Sequence, residues 1–574
     1  MRYRSQESTK KLSLIGITSF VFFLIIFGRL LYLQVYHHQR LDKISQKNFT
    51  RIKNIEPLRG NILDCKGNLL ATNRPITQID WIGTGTGKLT TSQRTMLQKI
   101  EAILQKYNYP IIAPLSKINR AEKFGTVVRL GCDLNIQALS EISEQCADSE
   151  NISITTSFKR FYPNKNLACH ILGYLGDLDS THTQSAGKMG LELIFEESLK
   201  GKHGTTTNII NSFGKNLHKT PLTNSQSGRN LILTLDISLQ ELAELTMPDD
   251  LAGTFILLDP QNGAIKALVS KPGFDPSIFL KPISTEEWKQ LQTNRPFINR
   301  AFNASYPPAS IFKLVTISAA LENDIITPES TFLCHGYTTF KGRKYYCNNR
   351  WGHGKLTIKE NLVHSCNIAC YEIAKKISID TIADYAYRFG LGVKTNIMFP
   401  ESSGIVPSNE WKRVVKGEPW WKGETLSAAI GQSFLLATPI QIACMVGSIF
   451  QGYLVKPRIL QETEVVTTCL DVKQSTLDVL QDSMKSAIVS GSAKNLNRLK
   501  NITVYAKTGT AQTKSRVIDT KEKQDNCHAW FASYFYYQDN DPLVMIILLE
   551  NAGSSTVATS VAQKFLSRYM KSLK

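Results

Sequence analysis

Residues 12–27 are apolar apart from small or hydroxyl side chains, and after Gly28 and Arg29 the apolar character resumes with Leu30, Leu31, Tyr32, Leu33 and Val35. A helix over residues 12–35 is on the order of 36 Å long at about 1.5 Å per residue, enough to cross a hydrocarbon core of about 30 Å. Arg29 falls near one interface, where its long stem lets the guanidinium snorkel. A cleaved signal peptide has a shorter apolar core and a small-x-small cleavage site. No such site follows here, so the segment reads as an uncleaved anchor. Arg2, Arg4, Lys10 and Lys11 precede it and assign residues 1–11 to a cytoplasmic tail, an argument weakened by Arg40, Lys43 and Lys47 on the other side. No other stretch is long and apolar enough to span, which leaves everything after residue 36 on one side of the membrane. An extracytoplasmic side permits disulfides.

The rest of the chain is large enough for two or more folded units: 574 residues, 42% hydrophobic and 20% charged. That composition excludes wholesale disorder. The net charge of +19 suits a polyanionic neighbour. No block of five like charges occurs, which favours lipid headgroups and anionic polymers over nucleic acid. The 11 cysteines lie too far apart for a small disulfide scaffold, and their odd number leaves at least one unpaired within the chain.

Between residues 36 and 235 short β-branched runs at 126–130 and 152–157 predict strands, and 92–106 and 191–199 predict helical pieces. Arg59-Gly60-Asn61-Ile62 followed by Lys66-Gly67-Asn68-Leu69-Leu70 predicts a hairpin. Near residue 250 the character changes. Apolar runs at 254–258 and 264–270 flank the polar turn Asp259-Pro260-Gln261-Asn262-Gly263 and predict strand, turn and strand. Helical patterns follow at 310–322, 358–376 and 439–450, strands at 502–506, 528–536 and 543–550, and an amphipathic helix at 557–569. Strands at both ends of a helical middle predict a sheet whose edges come from opposite ends of the domain, covered by helices.

Pro307-Pro308-Ala309-Ser310-Ile311-Phe312-Lys313 opens a helix, with Ser310 in its first turn and Lys313 three residues on, on the same face. A serine hydroxyl is a poor nucleophile until a base takes its proton, and a lysine serves if desolvation lowers its pKa. The pair alone is weak, since Ser8/Lys11 and Ser212/Lys215 share the spacing. About fifty residues on, Ser365-Cys366-Asn367 precedes an apolar helical segment, where a helix cap is the simpler account. Lys507-Thr508-Gly509-Thr510 ends a predicted strand, where a Gly turn is the simpler account. In this order, Ser-x-x-Lys, Ser-x-Asn and Lys-Thr-Gly form the set carried by penicillin-binding proteins and class A β-lactamases.

On these motifs the chain resembles class B penicillin-binding proteins over nearly its whole length, closest to the elongation type, penicillin-binding protein 2. Pedestal motifs of that family are matched by Arg59-Gly60 with Asp64 and Gly67, by Tyr162-Pro163 with His170-Ile171-Leu172-Gly173-Tyr174, and by Gly190-Leu191-Glu192 with Leu199-Lys200-Gly201. Elongation-type features are matched by Gly352-His353-Gly354, Cys370-Tyr371-Glu372-Ile373-Ala374, Ile430-Gly431-Gln432 with Thr438-Pro439, and His528-Ala529-Trp530-Phe531 with Glu550-Asn551. The resemblance implies an α+β, multidomain protein: a transmembrane helix, an elongated mixed α/β pedestal or dimerisation domain over 36–235, and a transpeptidase domain over 236–574 with an antiparallel sheet sandwiched by helices.

It also implies a peptidoglycan D,D-transpeptidase that cross-links stem peptides ending in D-Ala-D-Ala and is acylated by β-lactams. Ser310 is then the nucleophile and Lys313 its base. Ser365 relays the proton with support from Lys507, Asn367 holds the acyl side, and Thr508, Gly509 and Thr510 bind the terminal carboxylate. Ala309, Ile311 and Ala506 depart from the common pattern and bear on substrate fit. The implied partners are a polytopic glycosyltransferase of the shape, elongation, division and sporulation type and other elongation-complex proteins; the implied location is the bacterial inner membrane with the catalytic domain outside the cytoplasm. A septal-type enzyme is the alternative within the family. A β-lactamase or β-lactam sensor shares the three motifs but needs a further positioned base or a signalling domain. A non-enzymatic scaffold sits poorly with three intact motifs.

Cys334, Cys347, His353 and Cys366 lie between the first two catalytic motifs, and three thiolates with one imidazole suit structural zinc, as in some elongation-type members. His335 is an alternative ligand. A Cys334–Cys347 disulfide and free buried thiols are the competing accounts. The acyl-transfer chemistry itself needs no cofactor.

Overall fold

The computed structural model describes residues 2–109, 113–146, 149–177, 185–210, 216–280, 283–512 and 527–573. The chain forms two compact units, residues 1–58, 74–159 and 201–228 in one, and 59–73, 160–200 and 229–574 in the other.

The first unit begins with the helix Arg2–Leu31, which continues as a π-helical turn, Tyr32–Tyr36. The stretch Lys11–Tyr36 is, among the described residues, the one helix long and apolar enough to cross a membrane. A three-stranded antiparallel sheet pairs Thr50–Ile55 with Gly204–Ile210, and the latter with Asn216–Thr223. A separate core packs Ile100, Ile103 and Leu104 with Ile118 and Ile142 against Ile79, Trp81 and Leu130. The helix expected at 92–106 runs Thr91–Lys106, its start fixed by a capping box between Thr90 and Gln93.

The second unit is organised on a five-stranded antiparallel sheet of β1 (Gly253–Leu258), β2 (Ile265–Lys271), β3 (Ile502–Gln512), β4 (Cys527–Tyr537) and β5 (Leu543–Leu549), in the order β2-β1-β5-β4-β3. The edge strands β2 and β3 do come from opposite ends of the domain. Side chains alternate faces along each strand. Phe255 and Leu257 of β1 and Ile547 of β5 join one core with Ala243, Val561 and Phe565, from the helices Ile237–Thr246 and Ser555–Ser572. Ile256, Leu258, Ile546 and Leu548 point the other way, into a core with the helices Lys313–Glu322 and Pro439–Gln451. Burial on both faces explains why these strands read as continuous apolar runs.

Two expected helices are broken. Residues 191–199 form Gly190–Ile194 and Glu196–Leu199, and residues 358–376 form Ile358–Val363 and Ile368–Lys376. The second break holds Ser365, at φ 54°, a left-handed conformation that an α-helix cannot continue through. The pedestal motifs within this unit converge on one carboxylate. Glu192, fully buried, accepts hydrogen bonds from Arg59 and Arg160 at 2.7 Å each and from the Tyr162 hydroxyl at 3.3 Å. Such a buried charge is tolerable because two guanidiniums pair it. Gly173 and Gly190 touch backbone to backbone: a Cβ on Gly173 would lie 1.8 Å from the Met189 carbonyl oxygen.

Candidate active site

Ser310 sits in a 3-10 turn, Ala309–Phe312, that leads directly into the helix Lys313–Glu322. The predicted α-helix therefore starts three residues late. The tighter turn nevertheless stacks residues i and i+3, so Ser310 and Lys313 remain in line. The residue before the serine, Ala309, is at φ 49° and fully packed, the backbone setting that favours glycine. Around this turn the features identified as elongation-type gather. The Ala309 N–H donates to the Gly431 carbonyl at 2.9 Å, and a Cβ on Gly431 would lie 2.1 Å from the Ala309 carbonyl oxygen. The Trp530 indole donates to the Pro307 carbonyl at 3.0 Å, and the Tyr306 hydroxyl donates to Glu550 at 2.6 Å. Arg300 also binds Glu550, at 2.9 Å, and the His528 ring meets Tyr306 edge-on.

Ser365 and Asn367 come from the break between the two helices. The fully buried Lys313 ammonium donates to the Ser365 carbonyl and to Asn367 Oδ1, both at 2.7 Å, and lies 3.4 Å from Ser365 Oγ. Asn367 occupies the N-cap position of Ile368–Lys376, but its side chain does not cap the helix. It turns instead to Lys313 and, through Nδ2, to the Tyr346 carbonyl at 3.1 Å. Lys507, buried on β3, donates to Ser365 Oγ at 2.9 Å. The Ser365 hydroxyl thus lies between two amines. Burial pushes both lysines below their ordinary value, and Lys507 further because the Lys313 charge opposes a second cation nearby. Among the described residues the Ser310 hydroxyl has no hydrogen-bond partner.

Lys507-Thr508-Gly509-Thr510 lies inside β3 and does not end it: the strand runs on to Gln512 because β4 pairs with it throughout. Gly509 is closely packed: a Cβ there would sit 3.2 Å from the Pro308 carbonyl oxygen, a tight approach, and 3.5 Å from the Ala309 methyl. The strand bearing Lys507 is thereby pressed against the turn bearing Ser310. The Thr508 hydroxyl donates to Ser492 at 2.7 Å, and Thr510 is exposed, its hydroxyl accepting from the Ser555 N–H at 3.3 Å. The contacts of Ser492 and Tyr306, and the bond from the Ala309 N–H to Gly431, are not legible in the motifs themselves. Glycines and a tyrosine flanking the motifs were the available signal, but their role is a matter of long-range packing.

Cys334, Cys347, His353 and Cys366 present four ligand atoms within 4.8 Å of one another. Tetrahedral zinc with bonds of about 2.3 Å to sulfur and about 2.05 Å to nitrogen sets sulfurs about 3.8 Å apart and sulfur to nitrogen about 3.6 Å. The Cys347 and Cys366 sulfurs are 3.7 Å apart, and His353 Nδ1 lies 3.6 Å from Cys334 and 3.5 Å from Cys347. The set fits a metal of that geometry. All three cysteines are free thiols, which corrects the Cys334–Cys347 disulfide, and His335 is exposed and outside the group, which corrects its place as an alternative ligand.

The family described as "Penicillin binding protein transpeptidase domain" matches residues 253–571, and "Penicillin-binding Protein dimerisation domain" matches residues 54–233. The chain belongs to the penicillin-binding protein transpeptidase family. Among curated relatives of this penicillin-binding protein, the peptidoglycan D,D-transpeptidase MrdA of Acinetobacter baumannii is 29% identical over 522 residues, covering 86% of this chain and 76% of the relative. Among solved structures, penicillin-binding protein 2 in a complex with MreC from Helicobacter pylori aligns with a TM-score of 0.77 at 26% identity, covering 91% of this chain and 99% of that one. A chain from a peptidoglycan synthase complex, studied for the coordination of polymerization and crosslinking, aligns at 0.75 with 27% identity over 97% of this chain and 98% of its own.

Proposed function

We propose that this penicillin-binding protein is a peptidoglycan D,D-transpeptidase of the elongation type, acting through an acyl-enzyme on Ser310. The observation that carries this is the placement of Ser365 Oγ between Lys507 at 2.9 Å and Lys313 at 3.4 Å, with Lys313 one 3-10 turn from Ser310. Lys313, desolvated and so available as a neutral amine, takes the Ser310 proton as Oγ attacks the carbonyl between two D-alanines. Ser365 passes a proton to the departing amine, with Lys507 balancing the charge. The Ser310 and Thr510 N–H groups receive the developing oxyanion, each donor contributing about 3–4 kcal/mol. Thr508, Gly509 and Thr510 hold the terminal carboxylate through charge-assisted hydrogen bonds. Because β3 is, among the described residues, an edge strand of the sheet, the stem peptide pairs along its outer backbone row. An amine from a second stem then takes the acyl group, freeing Ser310.

Cys334, Cys347, His353 and Cys366 hold zinc in this proposal. The ion supplies a structural cross-link behind Ser365-Cys366-Asn367 and no chemistry in the reaction. About one equivalent in the purified chain is expected; less than half an equivalent contradicts it. The segment 12–35 anchors the chain in the inner membrane with residues 1–11 in the cytoplasm, 36–235 as pedestal and 236–574 as catalytic domain outside it. The partners are a polytopic glycosyltransferase of the shape, elongation, division and sporulation type and, on the likeness to the Helicobacter pylori complex, an MreC-like protein. The test is cross-link formation from glycan strands carrying D-Ala-D-Ala stems. Cross-links that benzylpenicillin blocks and Ser310→Ala abolishes are expected. Steady hydrolysis of a chromogenic β-lactam without cross-linking would contradict it.

A further inference from the structure

Tyr337–Phe340 and Arg343–Tyr346 form a two-stranded hairpin bracketed by two of the clustered thiols, Cys334 and Cys347. Its two faces differ. The inner face is tied down: Thr338 donates to Glu372 at 2.7 Å, and the Tyr345 ring meets Tyr371 edge-on. Glu372, the acidic group on this side, is itself paired with Lys375 at 2.6 Å. The outer face carries Tyr337 and Tyr346, 42% and 46% exposed, with ring centroids 6.2 Å apart. Each ring supports a cation, Lys344 at 4.4 Å from the Tyr337 centroid and the Arg350 guanidinium at 3.9 Å from that of Tyr346. Among the described residues neither cation pairs with a carboxylate. Trp351, next in the chain, is 96% exposed. From residue 330 to residue 359 the chain has Lys341, Arg343, Lys344, Arg350, Lys355 and Lys359 and no Asp or Glu.

The hairpin backbone is joined to the candidate active site by two hydrogen bonds: the Tyr346 carbonyl accepts from Asn367 Nδ2 at 3.1 Å, and Asn367 Oδ1 accepts from Lys313 at 2.7 Å. A ligand leaving the site along Asn367 meets alternating aromatic faces and unpaired cations held on a fixed scaffold. We infer that the outer face of the hairpin, through Tyr337, Lys344, Tyr346 and Arg350, is a subsite for the carboxylate-bearing part of the donor stem peptide, beyond the reacting D-Ala-D-Ala. The inference rests on the proposed transpeptidase reading and deepens it. Aromatic rings fix the guanidinium and ammonium in place, so little side-chain freedom is lost when a carboxylate binds. Carboxylate recognition by fixed cations is charge-assisted and screened by salt. A membrane headgroup layer shares the anionic chemistry, but the direct link through Asn367 favours the peptide.

The test uses the full chain in neutral-lipid nanodiscs and two synthetic pentapeptides ending in D-Ala-D-Ala, one with two free carboxylates upstream of the D-alanines and one with both as amides. The carboxylate form should react about fivefold to tenfold faster in kcat/KM, and the ratio should fall towards one in Lys344→Gln/Arg350→Gln and at high salt. Equal rates for the two peptides in the unsubstituted chain would overturn the subsite, as would a ratio unchanged in the double variant. A double variant that alters response to phosphatidylglycerol vesicles and leaves the peptide ratio unchanged would assign the face to lipid and also overturn it. Labelling of Ser310 by fluorescent penicillin in the unsubstituted chain tests the underlying transpeptidase reading separately.

Discussion

Around Ser310 the backbone is held by packing and by hydrogen bonds that involve neither thiol nor metal-ligand cluster: Gly431 backs onto Ala309, Trp530 reaches Pro307, and Tyr306 is moored to the Glu550 carboxylate and, through it, to Arg300. Around Ser365 the supports are groups that titrate, ligate or oxidise: two buried amines in front and three thiols with an imidazole behind. A helical turn pressed against a strand needs only to be packed, and its precision follows from close contact. A loop that bends back at a left-handed residue has little sheet or helix to hold it, so its position depends on side-chain chemistry. The side of the proposed nucleophile should therefore be robust to chelators and oxidants, and the side of the proposed proton relay sensitive to both and to pH.

The sharpest way to break this contrast is Lys313→Ala, which removes both the proposed base and the clamp on Ser365 and Asn367. Acylation by a fluorescent penicillin should fall about a thousandfold, measured on protein whose thermal transition is intact. A fall below tenfold would remove Lys313 from the proton path. In the unsubstituted chain acylation should rise with pH and level off below 10.5, because burial lowers Lys313 and burial with Lys313's charge lowers Lys507. The neutral amine is the active form, so the sign is a gain with rising pH. A rate still climbing at 10.5 would place an ordinary, solvated lysine in that role.

Metal removal comes next. Chelation under reducing conditions should cost about 3 kcal/mol or more of unfolding free energy if free metal had stood a hundredfold above Kd, and acylation should slow with it. Equal stability before and after chelation would make the thiols ordinary core residues. On the other side of the cleft, Tyr306→Phe should cost about 1.5 kcal/mol by denaturant unfolding, the contribution of one hydrogen bond to a charged acceptor, and should respond to chelation no differently from the unsubstituted chain. Ala309→Gly should matter least. Relief of the left-handed strain gains about 1–2 kcal/mol, while a lost buried methyl costs about 0.8 and added unfolded-state freedom about 0.4–1, so the net should lie within about 1 kcal/mol of zero.

The strands of the central sheet were legible because both faces are buried: β1 and β5 are buried at every position, and their bounds shifted by at most one residue from those expected. The N-terminal helix, long and apolar enough to cross a membrane, was legible from length and composition. Where local pattern failed, a tertiary demand overrode it. Residues 358–376 have helical periodicity throughout, but Lys313, fixed far upstream, draws the Ser365 carbonyl and Asn367 out of the helix. Lys507-Thr508-Gly509 looked like a strand terminus because Gly509 reads as a turn, yet the glycine stays in the paired strand and packs close to Pro308 and Ala309. The four metal-ligating candidates could be named from residue type and spacing. That His335 is excluded and that the sulfurs approach tetrahedral spacing depends on a hairpin register no spacing encodes.

The central claim is that one hydroxyl, Ser310, carries the acyl group, and it can be tested by digesting the penicillin-treated chain and sequencing the modified peptide by mass spectrometry. The account predicts a single adduct on Ser310, within the peptide that includes Ala309 and Lys313, and none in Ser310→Ala. An adduct on Ser365 or any other side chain, or undiminished labelling of Ser310→Ala, would contradict it.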